Sequence, residues 1–159
     1  MAIGLNLGVS LSAVVALASC AAPRACAGGV FRDTSRSGTV DPPAGRTIRR
    51  LRRVEVDFGR LFRGDTRPSA VSASDHLTLN LFADVCLTAR RERATDLAGG
   101  RVQWEGRVPG ASPGTVTLII GDGLIVGTLR IDRDVFQIRS LGDGVHGIID
   151  VDPAGFGRD

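Results

Sequence analysis

From Val54 onward, apolar residues recur at every second position. Val54 and Val56 alternate with Glu55 and Asp57, and Leu77, Leu79 and Leu81 with Thr78 and Asn80. Val102 and Trp104 are flanked by Arg101, Gln103 and Glu105, and Phe136 and Ile138 by Gln137 and Arg139. Val116, Leu118 and Ile120 share one face, opposite Thr115, Thr117 and Ile119, and Val145 to Val151 is a last apolar run. A period of two places alternate side chains on one face of a strand. The runs are separated by Gly99-Gly100, Pro109-Gly110, Pro113-Gly114, Gly121-Asp122-Gly123, Asp132-Arg133-Asp134 and Gly142-Asp143-Gly144. Asp-Gly between apolar runs marks a hairpin, because glycine accepts the positive φ of the turn. Leu118 to Leu129 is therefore predicted as a hairpin with its tip at Asp122-Gly123. No amphipathic helix is expected after Ala27. Leu87 to Leu97 is ambiguous, since its Ala, Arg and Glu residues favour helix locally. The expectation is an all-β domain over 54–153, an antiparallel sandwich or small barrel of about seven to eight short strands, with a tail at 154–159.

The pattern before Val54 differs. Leu5 to Ala22 is almost wholly apolar or small, with no charge before Arg24. It is short for a membrane span and suits the apolar core of a secretory signal over 1–27, although the usual basic residues ahead of it are missing. A buried helix of the domain is the structural alternative. Ala25-Cys26-Ala27 offers a small-x-small cleavage site. Leu17-Ala18-Ser19-Cys20 resembles a lipobox, in which Cys20 would be the site of lipid attachment. Residues 28–53 read as a flexible linker, rich in Gly, Pro, Ser and Thr up to Gly45. Its end carries Arg46, Arg49, Arg50, Arg52 and Arg53 around Ile48 and Leu51. Such a run serves as an anion-binding patch or a dibasic processing site, or is simply a solvated edge leading into the first strand; the last is preferred.

Composition narrows this picture. The chain has 159 residues, 43% of them hydrophobic, enough for a core. Aromatic residues are 4% and tyrosine is absent, which disfavours stacking platforms for bases or sugars. All 20 basic residues are arginine, yet the formal net charge is only +3 and says little about partners. An exported protein rarely meets nucleic acid, so none is expected as a partner, and a membrane only through the signal or a lipid. The three cysteines are Cys20, Cys26 and Cys86. Removal of the signal up to Ala27 would leave Cys86 alone, so a disulfide framework is not expected. Cys86 then reads as a small buried hydrophobe, or less readily as a thiolate that caps a zinc on another domain.

The strings that look catalytic fail on context. Gly110-Ala111-Ser112-Pro113-Gly114 matches G-x-S-x-G, but strands should flank it, and Pro113 has no N–H to serve an oxyanion. Gly142-Asp143-Gly144-Val145-His146-Gly147 spells G-x-G-x-x-G, but strand formers follow instead of a helix. Arg63-Gly64-Asp65 is too short to carry weight. His76, in a polar turn, and His146, as a turn residue, are the only histidines and form no zinc-binding spacing. No catalytic, cofactor-binding or metal-ligating residue is expected, and no cofactor.

Several segments nevertheless share an order with one known family. Leu79-Asn80-Leu81-Phe82-Ala83-Asp84-Val85 resembles the "LNLFPDV" segment in the propeptide of secreted bacterial reprolysin-like metalloproteases. Trp104-Glu105-Gly106-Arg107-Val108-Pro109-Gly110 is similar to that family's W-x-G segment. Val116 to Gly123 and then Gly127 resemble its following hairpin, and Phe136 to His146 its closing motif. The likeness spans 54–153. It implies a prodomain that assists folding of a metzincin zinc-protease domain and keeps it silent. The zinc-binding catalytic domain of that family has no counterpart up to Asp159, so no zinc ligand is carried over. Cys86 departs from the family, which has a small Thr or Ser there. The expectation is thus a non-catalytic, secreted or cell-envelope module whose partner is a metzincin catalytic domain, or else the remnant of a truncated protease gene. The alternative is a surface-anchored lipoprotein carrying a binding or structural β-domain.

Overall fold

The computed structural model describes residues 26–41, 47–64 and 68–155. It is all-β. The strands are β1 (Phe31–Asp33), β2 (Ile48–Val56), β3 (His76–Phe82), β4 (Val85–Leu97), β5 (Arg101–Arg107), β6 (Gly114–Gly121), β7 (Leu124–Ile131), β8 (Asp134–Gly142) and β9 (Val145–Val151). Two short 3-10 turns, Phe58–Arg60 and Pro153–Gly155, are the helical elements among the described residues. None is long and apolar enough to cross a membrane. Leu87 to Leu97, locally ambiguous, is strand: it belongs to β4, the longest of the set. Cross-strand packing overrides a weak helix propensity here.

All nine strands form one antiparallel sheet in the order β1-β2-β9-β8-β7-β6-β5-β4-β3. β3 to β9 make a simple meander, and the sheet curls into a nearly closed barrel. The hairpin between β6 and β7 turns at Asp122-Gly123, as its sequence predicts, with φ of 54° and 70°. Asp143-Gly144 repeats this device between β8 and β9. Inward positions alternate along the strands. Leu77, Leu79, Leu81, Val102, Trp104, Val116, Leu118, Ile120, Ile125, Leu129, Phe136, Ile138 and Ile148 all belong to one buried cluster. The single continuous sheet, whose edge strands β1 and β3 come together, distinguishes the barrel from the sandwich alternative.

The segment 28–53, expected as a linker, is part of the barrel. It supplies β1 and most of β2, and Val30 and Phe31 are buried in the core. β2 pairs with β9 through Leu51↔Ile149 and Val54↔His146, and β1 pairs with β2. The domain therefore begins at least at Val30, not at Val54. After β1, residues 38–40 lie against β8, where the Thr39 and Val40 N–H groups donate to the Leu141 carbonyl, each at 2.8 Å.

The barrel closes where β1 meets β3. The Val30 N–H donates to the Thr78 carbonyl at 2.9 Å. The Asn80 side chain then bridges Phe31, accepting from its N–H at 2.9 Å and donating to its carbonyl at 2.6 Å. Arg52, facing inward from β2, donates to the carbonyls of Asn80 and Leu81. At one end of the barrel lie the turns after β3, β5 and β7. At the other, residues 57–64 and 68–75 fold over the lumen with Leu61, Phe62 and Ala73 buried. There the Trp104 indole N–H donates to the Ser74 carbonyl, and Arg91 clamps Ala70, Ala73 and Asp75.

Candidate functional site

Cys86 is neither buried nor alone. It is exposed on the outer face of β4, opposite Asn80, and is disulfide-bonded to Cys26. The Cα atoms are 5.7 Å apart, in the ordinary range for a disulfide. The expectation of a lone buried thiol, and of a fold without a disulfide, is thereby corrected. The physical reason is that Cys26 belongs to the segment that runs into β1, and β1 is the strand that closes against β3. The bond adds a covalent staple to that seam. Cys20, the expected lipid site, lies outside the described residues.

Beside Cys86 the barrel wall has an opening. β4 pairs with β3 from Val85 to Arg90, but its pairing with β5 starts only at Arg90↔Arg107. Past Arg107 no pairing with β4 follows: β5 ends there, and the chain enters a turn in which the Ala111 N–H donates to the Val108 carbonyl. A groove of about 460 Å³ results, lined by His76, Cys86, Leu87, Thr88, Arg90, Val108 and Pro109. His76, expected in a polar turn, is instead the first residue of β3; it is exposed and faces Arg90 across the strand pair. Among the described residues neither His76, Thr88 nor Arg90 has a side-chain hydrogen bond or ion pair. The groove has no carboxylate in its lining. Nothing in the sequence marks it, because an unpaired strand edge depends on the register between strands.

The arginine run is divided by the pleat and largely neutralised. Arg50 and Arg52 face inward on β2. The Arg50 Nε donates to Asp150 at 2.9 Å, its Nη1 to Asp84 at 2.7 Å, and its guanidinium lies 4.1 Å over the Phe82 ring. The Arg50 hydrogen bond holds the Asp84 carboxyl below its ordinary range. Arg49 bonds to Asp134 and Asp152 at 3.1 and 3.2 Å, and Arg52 bonds to Asp33 at 2.8 Å. The Arg50 and Arg52 contacts seal the barrel at the end opposite Leu61 and Ala73, while Arg49 and Arg53 are exposed, as the solvated-edge reading of the run expects. Arg46 lies outside the described residues.

His146 is a strand residue, not a turn residue, and it is wholly buried. Its Nδ1 is 3.1 Å from the Gly144 carbonyl, and its Nε2 accepts the Ile125 N–H at 3.2 Å. This pattern requires the neutral Nδ1–H tautomer. Burial depresses its pKa, partly offset by the Gly144 hydrogen bond. The ring fills the place where β7 and β8 separate, since their pairing begins only at Gly127↔Ile138.

The two catalytic-looking strings sit where their context places them. Residues 110–114 form a loop between β5 and β6, in which the Ser112 N–H donates to Asp132 at 2.8 Å. Residues 142–147 join β8 to β9, and no helix follows Gly147. Arg63 is engaged by Asp75 at 2.7 Å, while Asp65 lies outside the described residues. Among the described residues no three His, Cys, Asp or Glu side chains converge as a metal site would need.

No protein-family model, curated protein or solved structure matches the chain.

Proposed function

We propose that this barrel is a non-catalytic, extracytoplasmic docking module of the prodomain kind, which assists the folding of a metzincin zinc-protease domain or holds it silent. The observation that carries the reading is the filled lumen. Trp104, Phe136 and the branched aliphatic residues occupy the interior, and both ends are covered, so recognition falls to the outer surface. A disulfide suits an oxidising compartment outside the cytoplasm. The segments that resemble the metalloprotease propeptide lie on β3, on β5, on the β6–β7 hairpin and on β8–β9, so the resemblance covers one folded unit. The test is to refold secreted metzincin catalytic domains with and without the purified protein, then assay proteolysis. A higher refolding yield or a lower activity is expected. No change in either quantity with any of them sinks the reading.

A second reading, a lipid-anchored surface module, is favoured by the disulfide. Cleavage after Ala27 would remove Cys26 and leave Cys86 without its partner. Cleavage before Cys20 keeps both bridging cysteines and yields the acylated residue. Mass spectrometry of the mature N-terminus decides: a diacylated Cys20 supports it, and an N-terminus at Gly28 eliminates it.

A further inference from the structure

The opening beside β4 has a backbone side as well as a side-chain side. In an antiparallel pair, facing residues alternate between exchanging both hydrogen bonds and exchanging none. The Thr78 carbonyl accepts from Val30, on the side of β3 away from β4. The Asn80 carbonyl accepts from Arg52, also on that side. Thr78↔Thr88 and Asn80↔Cys86 are therefore non-hydrogen-bonded pairs. It follows that Thr88 and Cys86 aim their N–H and C=O groups away from β3, into the groove that β5 vacates. The Arg91 N–H, which donates back toward β3 to the Asp75 carbonyl, confirms the alternation. At Arg90 the same edge is taken up by Arg107. Below it, no strand among the described residues pairs with the edge.

We infer that the Cys86–Thr88 edge of β4 is a strand-addition site for an extended peptide segment bearing an acidic side chain. Exposed edges of this type pair with a foreign strand unless they are blocked. This edge carries no proline, and the residues that line the groove include no acid. The main-chain groups of Cys86 and Thr88 supply the ladder. Leu87 and Val108 supply an apolar seat for one side chain of the incoming strand. Arg90 supplies the charge: its neighbours Glu92 and Glu105 are already held by Arg107 and Arg93, so the Arg90 guanidinium remains available to a ligand carboxylate. The Cys26–Cys86 bond fixes the far end of the edge to the N-terminal segment and so keeps it from fraying. The inference does not depend on the partner being a protease.

The probe is a fluorescein-labelled hexapeptide that alternates valine and threonine around one aspartate, titrated with the purified protein and followed by anisotropy. Saturable binding is expected. Replacing the aspartate by lysine, or introducing Arg90→Glu, should weaken it by about tenfold. Methylating alternate peptide nitrogens, which removes the ladder donors, should abolish it. Thr88→Pro should do the same while leaving the β3 ladder intact, because the N–H it removes points into the groove. Near-ultraviolet circular dichroism from Trp104 reports whether that variant is folded; if it is not, the N-methylated peptide and Arg90→Glu decide. No binding at millimolar peptide, equal binding of the N-methylated form, or indifference to Arg90→Glu each overturns the inference.

Discussion

A histidine held neutral inside a barrel makes stability depend on pH, and His146 sets the sign. Its side chain can accept the Ile125 N–H only when Nε2 carries no proton. The folded pKa lies below the ordinary value of 6.5, chiefly through burial. The unfolded chain therefore binds a proton at a higher pH than the folded one does. The contribution of His146 to stability is full above the unfolded pKa and is lost as pH falls toward the depressed folded value. Urea midpoints should drop between neutral pH and about pH 5. His146→Gln, which keeps an acceptor without a titration, should flatten that drop. A wild-type midpoint that is constant or rises over the interval contradicts the assignment. Gly106 poses a steric constraint at the same scale. A Cβ there would strike the Trp104 ring and the Arg90 carbonyl. Gly106→Ala should cost about 1–3 kcal/mol by overpacking, measured by denaturant unfolding.

Among the elements, the seam between β1 and β3 is where stability can be taken apart. Besides the Val30–Thr78 main-chain bond and the Arg52 contacts, two devices act on it: the paired Asn80–Phe31 hydrogen bonds and the Cys26–Cys86 bond, which spans 60 residues. Loop-closure entropy for that span stabilises by roughly 2–4 kcal/mol. The two Asn80 bonds contribute about 1–3 kcal/mol, since Phe31 is buried and would be left with unmatched main-chain groups. Asn80→Ala and Cys86→Ser should each lower the unfolding midpoint. Together they should cost less than the sum of the two, because either one alone frees β1. Strict additivity in a double-mutant cycle would mean that the two devices hold separate pieces. The seam was also the part hidden from sequence reasoning, for identifiable reasons. The meander from β3 to β9 was legible because period-two alternation and Asp-Gly turns are local signals. In β2, by contrast, the apolar residues Ile48, Leu51 and Val54 stand three apart, and the inward positions next to Val54 are Arg52 and Arg50. Partners supplied by β3 and β9 make arginine acceptable there, and a single strand carries no trace of them. Cys26 was hidden likewise, since its surroundings read as a cleavage site. The free edge of β4 has no local signature at all.

At the scale of the whole molecule, two different closures protect one core, and they differ in chemistry. Residues 57–64 and 68–75 cover their end with Leu61, Phe62 and Ala73, and the Arg91 guanidinium ties them down through the Ala70 and Ala73 carbonyls. The opposite end is sealed by charge. Asp150 is 7% exposed at its side chain, and Arg50 and Arg49 join it to Asp84 and Asp134 on two other segments and to Asp152 just after β9. Its Oδ1 has no hydrogen bond, and the Arg49 Nη1 lies 3.8 Å away. Among the described residues Arg50 is thus the only group that hydrogen-bonds this carboxylate. A buried ion pair contributes little net stability when intact, but a buried charge left without its partner is costly. The two halves of the pair should therefore not be equivalent. Arg50→Ala strands Asp150 and also removes the cover over Phe82; it should cost about 3 kcal/mol. Asp150→Ala leaves Arg50 with Asp84 at the partly exposed rim and should cost clearly less. The double variant, with no buried charge to strand, should be more stable than Arg50→Ala alone. Urea unfolding of the three proteins measures the order. If Asp150→Ala proves the worse single change, the carboxylate is not the buried liability that its surroundings indicate, and the lumen must admit water at that end.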